Sequence, residues 1–340
     1  MPKEKLLGKN PDELKAAALA AGLPAFAGKQ LAQWLYVRRV RSFDEMTNIS
    51  KAGRAKLAEL YELGVSAPLG SISSSDGTKK YLFGVCGSSR VESVMIPDGE
   101  RRTLCVSSQA GCKMGCRFCM TGRQGWHGNL DVAEILNQYI SIDESLELTN
   151  TVFMGMGEPL DNYDVVMKAI EVLTAPWGFA WSPKRITLST IGVMPALRRY
   201  LDDCRCHLAV SLHNPFPEER VEMMPVQKAF DEKAVVDLIK QYDFTGQRRV
   251  SFEYTMFDGW NDDKRHADAL IRMLRGLECR VNLIRFHKIP DFPYVSSSEG
   301  VMEVFRDRLN KAGITSTIRA SRGEDIFAAC GMLAGKHKQQ

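Results

Sequence analysis

Three cysteines, Cys112, Cys116 and Cys119, stand in the run Gly111-Cys112-Lys113-Met114-Gly115-Cys116-Arg117-Phe118-Cys119. The spacing is C-x3-C-x2-C. Structural zinc closes its shell with four ligands, whereas a cubane iron–sulfur cluster can take three thiolates and leave one iron open. An open iron can bind and reduce a substrate. Two plainer readings use the same residues: a zinc knuckle with a distant fourth ligand, or three unrelated thiols. The chain has nine cysteines. Its first residues, Met1-Pro2-Lys3-Glu4-Lys5, are polar and lack a signal-peptide pattern. A cytoplasmic setting is expected, in which cysteines serve metals or catalysis rather than a disulfide framework.

The elements around the triplet alternate. Strand patterns run over Leu104–Ser107, Thr151–Met156, Arg185–Ser189, His207–Leu212, Val250–Phe257, Arg280–Arg285 and Ser316–Ala320. Helix patterns fall between most of them: one opened by Asp131-Val132-Ala133-Glu134, then Tyr163–Thr174, Pro195–Asp202, Lys233–Tyr242, Asp263–Arg275 and Val301–Ala312. Repeated strand–helix units imply an α/β fold with a parallel sheet, a barrel or partial barrel whose functional residues sit at the carboxyl ends of strands. Three polar or glycine-rich runs fall there: Gly155-Met156-Gly157-Glu158-Pro159-Leu160, Ser189-Thr190-Ile191-Gly192 and Ser211-Leu212-His213-Asn214. Any one of them reads as an ordinary loop. Together with the cysteine run they mark a ligand site.

With 340 residues and 44% hydrophobic content, the chain can fill a full core. No apolar run approaches a membrane span. Residues 1–75 read as a small helical domain, with a helix start at Asn10-Pro11-Asp12-Glu13 and further helices over Lys29–Val37 and Lys51–Leu63. A Ser-rich turn, Ser71–Ser75, leads into strand patterns at Lys79–Val85 and Arg90–Ile96, a connector over 76–97. The core is expected over 98–335, with a polar tail at 336–340. Net charge is only +4, but residues 1–65 hold 11 Lys/Arg against 7 Asp/Glu. Arg38-Arg39-Val40-Arg41 follows Trp34 and Tyr36, a pairing that suits phosphate contact and base stacking; a solvated helix face with Trp34 in the core is the plainer reading.

The triplet, with Phe118 before its last cysteine, resembles the radical S-adenosylmethionine (SAM) superfamily. Leu104-Cys105-Val106-Ser107-Ser108-Gln109-Ala110-Gly111-Cys112 leads into it. The glycine run at 155–160, Thr187-Leu188-Ser189-Thr190, Leu208-Ala209-Val210-Ser211-Leu212-His213 and Arg322-Gly323-Glu324-Asp325-Ile326-Phe327-Ala328-Ala329-Cys330-Gly331 follow in order. This combination resembles the RlmN/Cfr family of RNA methyltransferases. Ser42-Phe43-Asp44-Glu45-Met46-Thr47-Asn48 resembles its accessory domain, so the likeness covers nearly the whole chain.

The resemblance implies a partial parallel (β/α) barrel of the radical SAM type with an N-terminal helical accessory domain that binds RNA. It implies one 4Fe-4S cluster on Cys112, Cys116 and Cys119, and two SAM molecules per turnover. Gly157, Glu158, Ser189, Ser211, Leu212 and His213 would hold SAM. His287, in Asn282-Leu283-Ile284-Arg285-Phe286-His287, stands where the family usually shows a SAM-contacting Asn and would take over that contact as a hydrogen-bond donor. Cys330 would accept a methyl group and carry it to the base. Cys105 would help release the product and pair with Cys330 in a disulfide, and Glu92 would accept a proton. Substrates would be adenosines of 23S rRNA, in the peptidyl-transferase region, and of tRNA, 3′ of the anticodon. An electron donor such as flavodoxin and a monomeric state are also expected. RlmN-type members methylate C2 of adenine and Cfr-type members C8; Pro159 in Gly-Glu-Pro sides with C2. Without the resemblance, Cys330 and Cys105 read as small buried residues and Glu92 as an exposed strand residue. Cys86, Cys204, Cys206 and Cys279 read as structural. Two rivals remain: a radical SAM enzyme with a small-molecule substrate, and a non-catalytic zinc-bound RNA-binding module.

Overall fold

The computed structural model describes residues 3–85, 87–246 and 248–334; Cys86 and the tail at 336–340 lie outside the described residues. The N-terminal part holds β1 (Glu4–Lys5), α1 (Pro11–Ala20), α2 (Ala27–Ala32), α3 (Lys51–Leu60) and β2 (Tyr61–Glu62), with β1 and β2 paired in parallel. The start of α1 is a full capping box. Asn10 Oδ1 accepts from the N–H groups of Asp12 and Glu13, and Glu13 returns a bond to the Asn10 N–H at 2.7 Å. The expected helix over Lys29–Val37 is instead α2 followed by a π-helical turn at Gln33–Val37, closed by Arg38 N–H to Gln33 O at 3.0 Å. The wider turn lets Leu31, Leu35 and Tyr36 all bury.

The basic cluster is largely spent on docking. Arg39 donates to the Ser145 carbonyl and lies over the Phe179 ring at 4.2 Å, and Arg41 donates to Ile142 O at 2.9 Å. Arg38 remains exposed, stacked over Trp34 at 5.1 Å. Trp34 itself packs against the core and donates from Nε1 to Asn48 Oδ1.

The main sheet begins with β3 (Gly70–Ser73), β4 (Lys79–Val85), β5 (Ser89–Asp98) and β6 (Arg101–Cys105). The Ser-rich stretch expected as a turn is therefore strand as far as Ser73, because Ser71 and Ile72 pair with Tyr81 and Lys80. A small hairpin of β7 (Gln109–Gly111) and β8 (Trp126–Asn129) brackets the cysteine loop and the short α4 (Met120–Arg123). Strand–helix units follow: α5 (Val132–Ile140), β9 (Asn150–Phe153), α6 (Tyr163–Thr174), β10 (Ile186–Thr190), α7 (Met194–Asp203), β11 (His207–Ser211), α8 (Pro217–Met223), α9 (Glu232–Ile239), β12 (Val250–Met256), α10 (Lys264–Leu274), β13 (Arg280–Arg285), α11 (Glu299–Lys311) and β14 (Thr315–Ile318).

Ten strands form one open sheet in the order β14-β13-β12-β11-β10-β9-β6-β5-β4-β3. From β6 through β9 to β14 every pairing is parallel, while β3 to β6 is antiparallel. Parallel strands need crossover helices, which is why apolar strands alternate with amphipathic helices here. All carboxyl ends from β6 to β14 thus face one side. Among the described residues no helix is long and apolar enough to cross a membrane.

Just past β6 the chain leaves the ladder, and its polar groups are met by one side chain. Fully buried Gln138 on α5 accepts from Ser107 N–H and donates to Ser107 O, each at 2.9 Å. Gln138→Leu leaves both groups buried and unpaired, so urea unfolding should show a loss of about 2–4 kcal/mol; a change within about 0.5 kcal/mol, the scatter of ordinary surface variants, would contradict this.

Candidate active site

Two adjoining clefts open at the carboxyl ends of the strands. They share Cys119, Met154, Gly155, Ile284, Arg285, Arg319, Cys330 and Gly331 as walls. The first cleft adds Cys105, Thr121, His287 and Ser321; the second adds Cys112, Cys116, Gly157, Glu158, Ser189, Ser211 and His213.

The three cysteines of the triplet share the second cleft. Their loop is set by Gly111, at φ +73°, where a Cβ would lie 1.9 Å from the Gly125 carbonyl oxygen. Cys112 N–H donates to that oxygen at 2.8 Å. Phe118 meets His213 edge-on at 5.0 Å and packs on Phe257, which also touches Phe286 and Trp260. This aromatic wall backs the Cys116–Phe118 side of the loop, while Lys113 and Arg117 face solvent. Burial pushes the Cys112 thiol up to about 12 and raises Cys116 and Cys119 as well. Bound metal reverses that preference, because a coordinating thiol is deprotonated.

Beyond β9 the glycine run is forced by contact. A Cβ on Gly155 would lie 2.6 Å from Val106 O, and one on Gly157, at φ +100°, 2.6 Å from Gln109 Cβ. Gln109 Oε1 in turn accepts from Glu158 N–H at 2.9 Å. The Glu158 carboxylate accepts from Leu160 N–H at 3.1 Å and Ile191 N–H at 3.0 Å, and burial pushes it up to about 7. Ser189 and Ser211 line the same wall. Leu212 is fully buried and walls neither cleft; its N–H donates to Glu253 O at 3.1 Å and its carbonyl accepts from Arg220, so the structure does not bring it to the ligand space. His213, at φ +58°, accepts at Nδ1 from Thr255 N–H at 3.0 Å. Its ring is therefore neutral, with Nε2 protonated.

His287 sits apart from this set. It faces the first cleft, with Nε2 3.2 Å from Ser321 Oγ and Nδ1 3.3 Å from a Glu324 oxygen. Cys330 is exposed and walls both clefts, while Cys105 is buried and walls the first. Burial pushes the Cys105 thiol up to about 12. Both thiols are free, so the expected Cys105–Cys330 disulfide is not formed here: one sulfur is fixed at the end of β6, the other on a separate solvent-facing turn. Glu92 is 1% exposed and walls neither cleft; Lys80 and the Ala334 N–H hold its oxygens.

Two arginines escaped the sequence reading. Arg319, just past β14, reaches Glu253 at 3.3 Å and Met154 Sδ at 3.7 Å, and the neighbouring Cys330 and Glu253 hold its guanidinium charged. Arg220 is wholly buried beneath the Ser211–His213 turn. It donates to Leu212 O and Ser211 O, each at 2.9 Å, and pairs with Glu232 at 2.9 Å. Cys204 and Cys206 are buried free thiols, and Cys279 is partly buried, away from both clefts.

The radical SAM superfamily model matches residues 106–270, and a model described as the ribosomal RNA large subunit methyltransferase N-terminal domain matches residues 4–63. A protein of Porphyromonas gingivalis described as a probable dual-specificity RNA methyltransferase RlmN is 63% identical over 97% of this chain and 96% of its own. The chain belongs to the RlmN family. A Syntrophus aciditrophicus dual-specificity RNA methyltransferase RlmN is 41% identical over 96% of this chain and 94% of its own. The crystal structure of a radical SAM methyltransferase from Sphaerobacter thermophilus superposes with a TM-score of 0.93 at 35% identity, covering 98% of this chain and all of that one. This RlmN-family chain is accordingly a SAM-dependent radical methyltransferase.

Membership in the superfamily implies SAM and a 4Fe-4S cluster. The residues fit both. Among the described residues no set of three or more His, Cys, Asp or Glu closes on a single ion, yet three thiols line one cleft, which suits a cluster several ångströms across. The glycine turn and the buried Glu158 carboxylate suit an amino acid headgroup beside it.

The RlmN-family fold carries a pH signature at His213. Burial, helped by Arg220, holds its ring down to about 3 from 6.5. Below 6.5 the unfolded chain binds a proton that the folded chain refuses, so stability falls as the pH drops toward 3. His213→Asn keeps an acceptor for Thr255 and tolerates the left-handed backbone. Between pH 7 and 5 the variant should lose about 2 kcal/mol less than the parent in denaturant unfolding; parallel losses would contradict this.

Proposed function

We propose that the protein methylates C2 of adenosine, in 23S rRNA at the peptidyl-transferase region and in tRNA 3′ of the anticodon. The observation that carries the reading is Cys330: a free, exposed thiol on the wall shared by the SAM-type cleft and a second cleft that ends on Cys105. One sulfur facing both spaces can take a methyl group on one side and deliver it on the other.

The chemistry calls for such a carrier. C2 of adenine is an electron-poor amidine carbon and does not attack a methyl cation. Cys112, Cys116 and Cys119 would hold the cluster, which with two SAM molecules in turn would supply a methyl group and a 5′-deoxyadenosyl radical. Gly157, Glu158, Ser189, Ser211 and His213 orient SAM, with Glu158 taking its ammonium; His287 faces the same methyl-carrying sulfur from the other cleft. The 5′-deoxyadenosyl radical would take one hydrogen from the methyl group on Cys330 and leave as 5′-deoxyadenosine; the carbon radical held on sulfur would add to C2, tying RNA and protein together, and the adduct would give up one electron to the oxidised cluster along with its C2 proton. Arg319 keeps a positive charge beside that sulfur. Cys105 serves release of the product, and Glu92 takes the C2 proton once the Ala334 N–H has left it. The adenine must be unstacked to reach the cleft. The N-terminal domain would bind RNA, and a small redox protein such as flavodoxin would supply electrons. Pro159, on the cleft wall, favours C2 over C8.

Mass spectrometry of adenosines from RNA treated anaerobically with reconstituted protein, SAM and a reductant tests this. The expected product is 2-methyladenosine, absent with Cys330→Ala. 8-Methyladenosine would move the site of attack to C8. SAM cleavage with no methylated adenosine would reject the RNA substrate.

A further inference from the structure

Cys330 lies in a segment, 323–334, that contains no helix or strand. Three of its residues have left-handed backbone: Gly323 at φ +62°, Phe327 at +54° and Gly331 at +82°. Phe327 has a side chain, so its conformation is strained and persists only where the surroundings over-determine it. The segment cannot shape itself; other parts of the chain must hold it.

Those parts are known from the bonds. Asp76 accepts from Gly323 N–H at 2.9 Å, and Ser74 Oγ and Ser75 N–H donate to Asp325 at 2.6 and 3.2 Å. Met120 N–H donates to Gly331 O and Thr121 Oγ1 to Leu333 O, each at 2.8 Å. Gln124 Nε2 donates to Ala334 O at 2.9 Å, and His287 Nδ1 lies 3.3 Å from a Glu324 oxygen. One further hold is a buried ion pair. Lys80, 5% exposed, lies 2.9 Å from a Glu92 oxygen and donates to Phe327 O at 3.3 Å. The other Glu92 oxygen accepts from Ala334 N–H at 2.7 Å. Lys80 on β4 pairs with Val94, and Glu92 on β5 with Leu82, so the two are diagonal neighbours across one ladder. A single ion pair therefore grips the segment on both sides of Cys330, three residues before it and four after.

We propose that the Lys80–Glu92 pair is the seat of the Cys330 segment, with Lys80 its positioning residue. Lys80 fixes the strained Phe327 carbonyl and orients the carboxylate that fixes Ala334. The seat also links two events. While the segment is docked, both Glu92 oxygens are engaged; when the segment lifts, the oxygen held by Ala334 is released. The catalytic consequence rests on Cys330 as methyl carrier, but the seat itself does not.

The test is hydrogen–deuterium exchange on the full-length protein, comparing peptides over 323–334 with control peptides over β12. Lys80→Met should speed exchange in the segment by about tenfold or more with β12 unchanged, and Lys80→Arg should restore most of the protection. Because Lys80→Met removes the cation beside a buried carboxylate and can fail to fold, Lys80→Met/Glu92→Gln, which buries no charge at the pair, provides the second arm with the same expected rise. Wild-type exchange over 323–334 in a folded variant of either kind would overturn the seat. Methylation kinetics add the functional readout: kcat should fall about tenfold or more while KM for RNA changes little. Faster exchange with undiminished methylation would leave the seat standing and overturn Lys80 as a positioning residue for catalysis.

Discussion

A parallel sheet satisfies its own backbone only as far as its last ladder bond. Beyond the carboxyl ends every N–H and C=O needs another partner, and here those ends must also stay open to ligands. The chain meets this constraint with buried side chains that reach up from behind. Gln138 takes both polar groups of Ser107, Arg220 takes the carbonyls of Ser211 and Leu212, and Asn261 takes the carbonyls of His213 and Thr255. Each partner is spent from the rear, so the front of each loop faces the clefts. The site is a set of strand ends held open.

Burial sets the charge state of the whole cleft. It drives the cysteine thiols up, the Glu158 carboxyl up and the His213 ring down, which in every case favours the neutral form. A cleft tuned in this way welcomes groups that bring their own charge. A cationic cluster core suits the three thiols, and an ammonium suits Glu158. Arg319 is the contrary case: carboxylate and sulfur neighbours hold its charge beside Cys330.

Much of this could be read from residue order. The triplet, the glycine run and the polar ends of β10 and β11 announce themselves, because chemistry at a strand end needs unusual residues after an apolar run. Helices with caps, such as α1 and α5, and the exact span of α6 follow from local pattern. Residues that act from behind were not legible. Arg220 stands in Pro217-Glu218-Glu219-Arg220, which reads as a solvated helix face until the turn above it is seen to need a donor. Lys80 and Glu92 alternate within ordinary strands, and only register makes them partners. Arg39 and Arg41 looked free for phosphate, yet they close the seam between the N-terminal helices and the core. Short strands such as β3, β7 and β8 also escaped, since few residues carry too little periodicity.

The reach of the Cys330 segment has a kinetic side. Its partners Ser74, Asp76 and Lys80 lie about 250 residues away along the chain, as the Ser74–Asp325 separation of 251 shows. Closing so long a loop costs little more than closing a shorter one, but nothing repays that cost until the antiparallel strands and the parallel strands have both formed. The Cys330 segment can therefore dock only once both sets of strands are in place. A molecule can keep its helices and its cysteine loop and still lack this docked segment, because the segment depends on two distant stretches of the chain meeting.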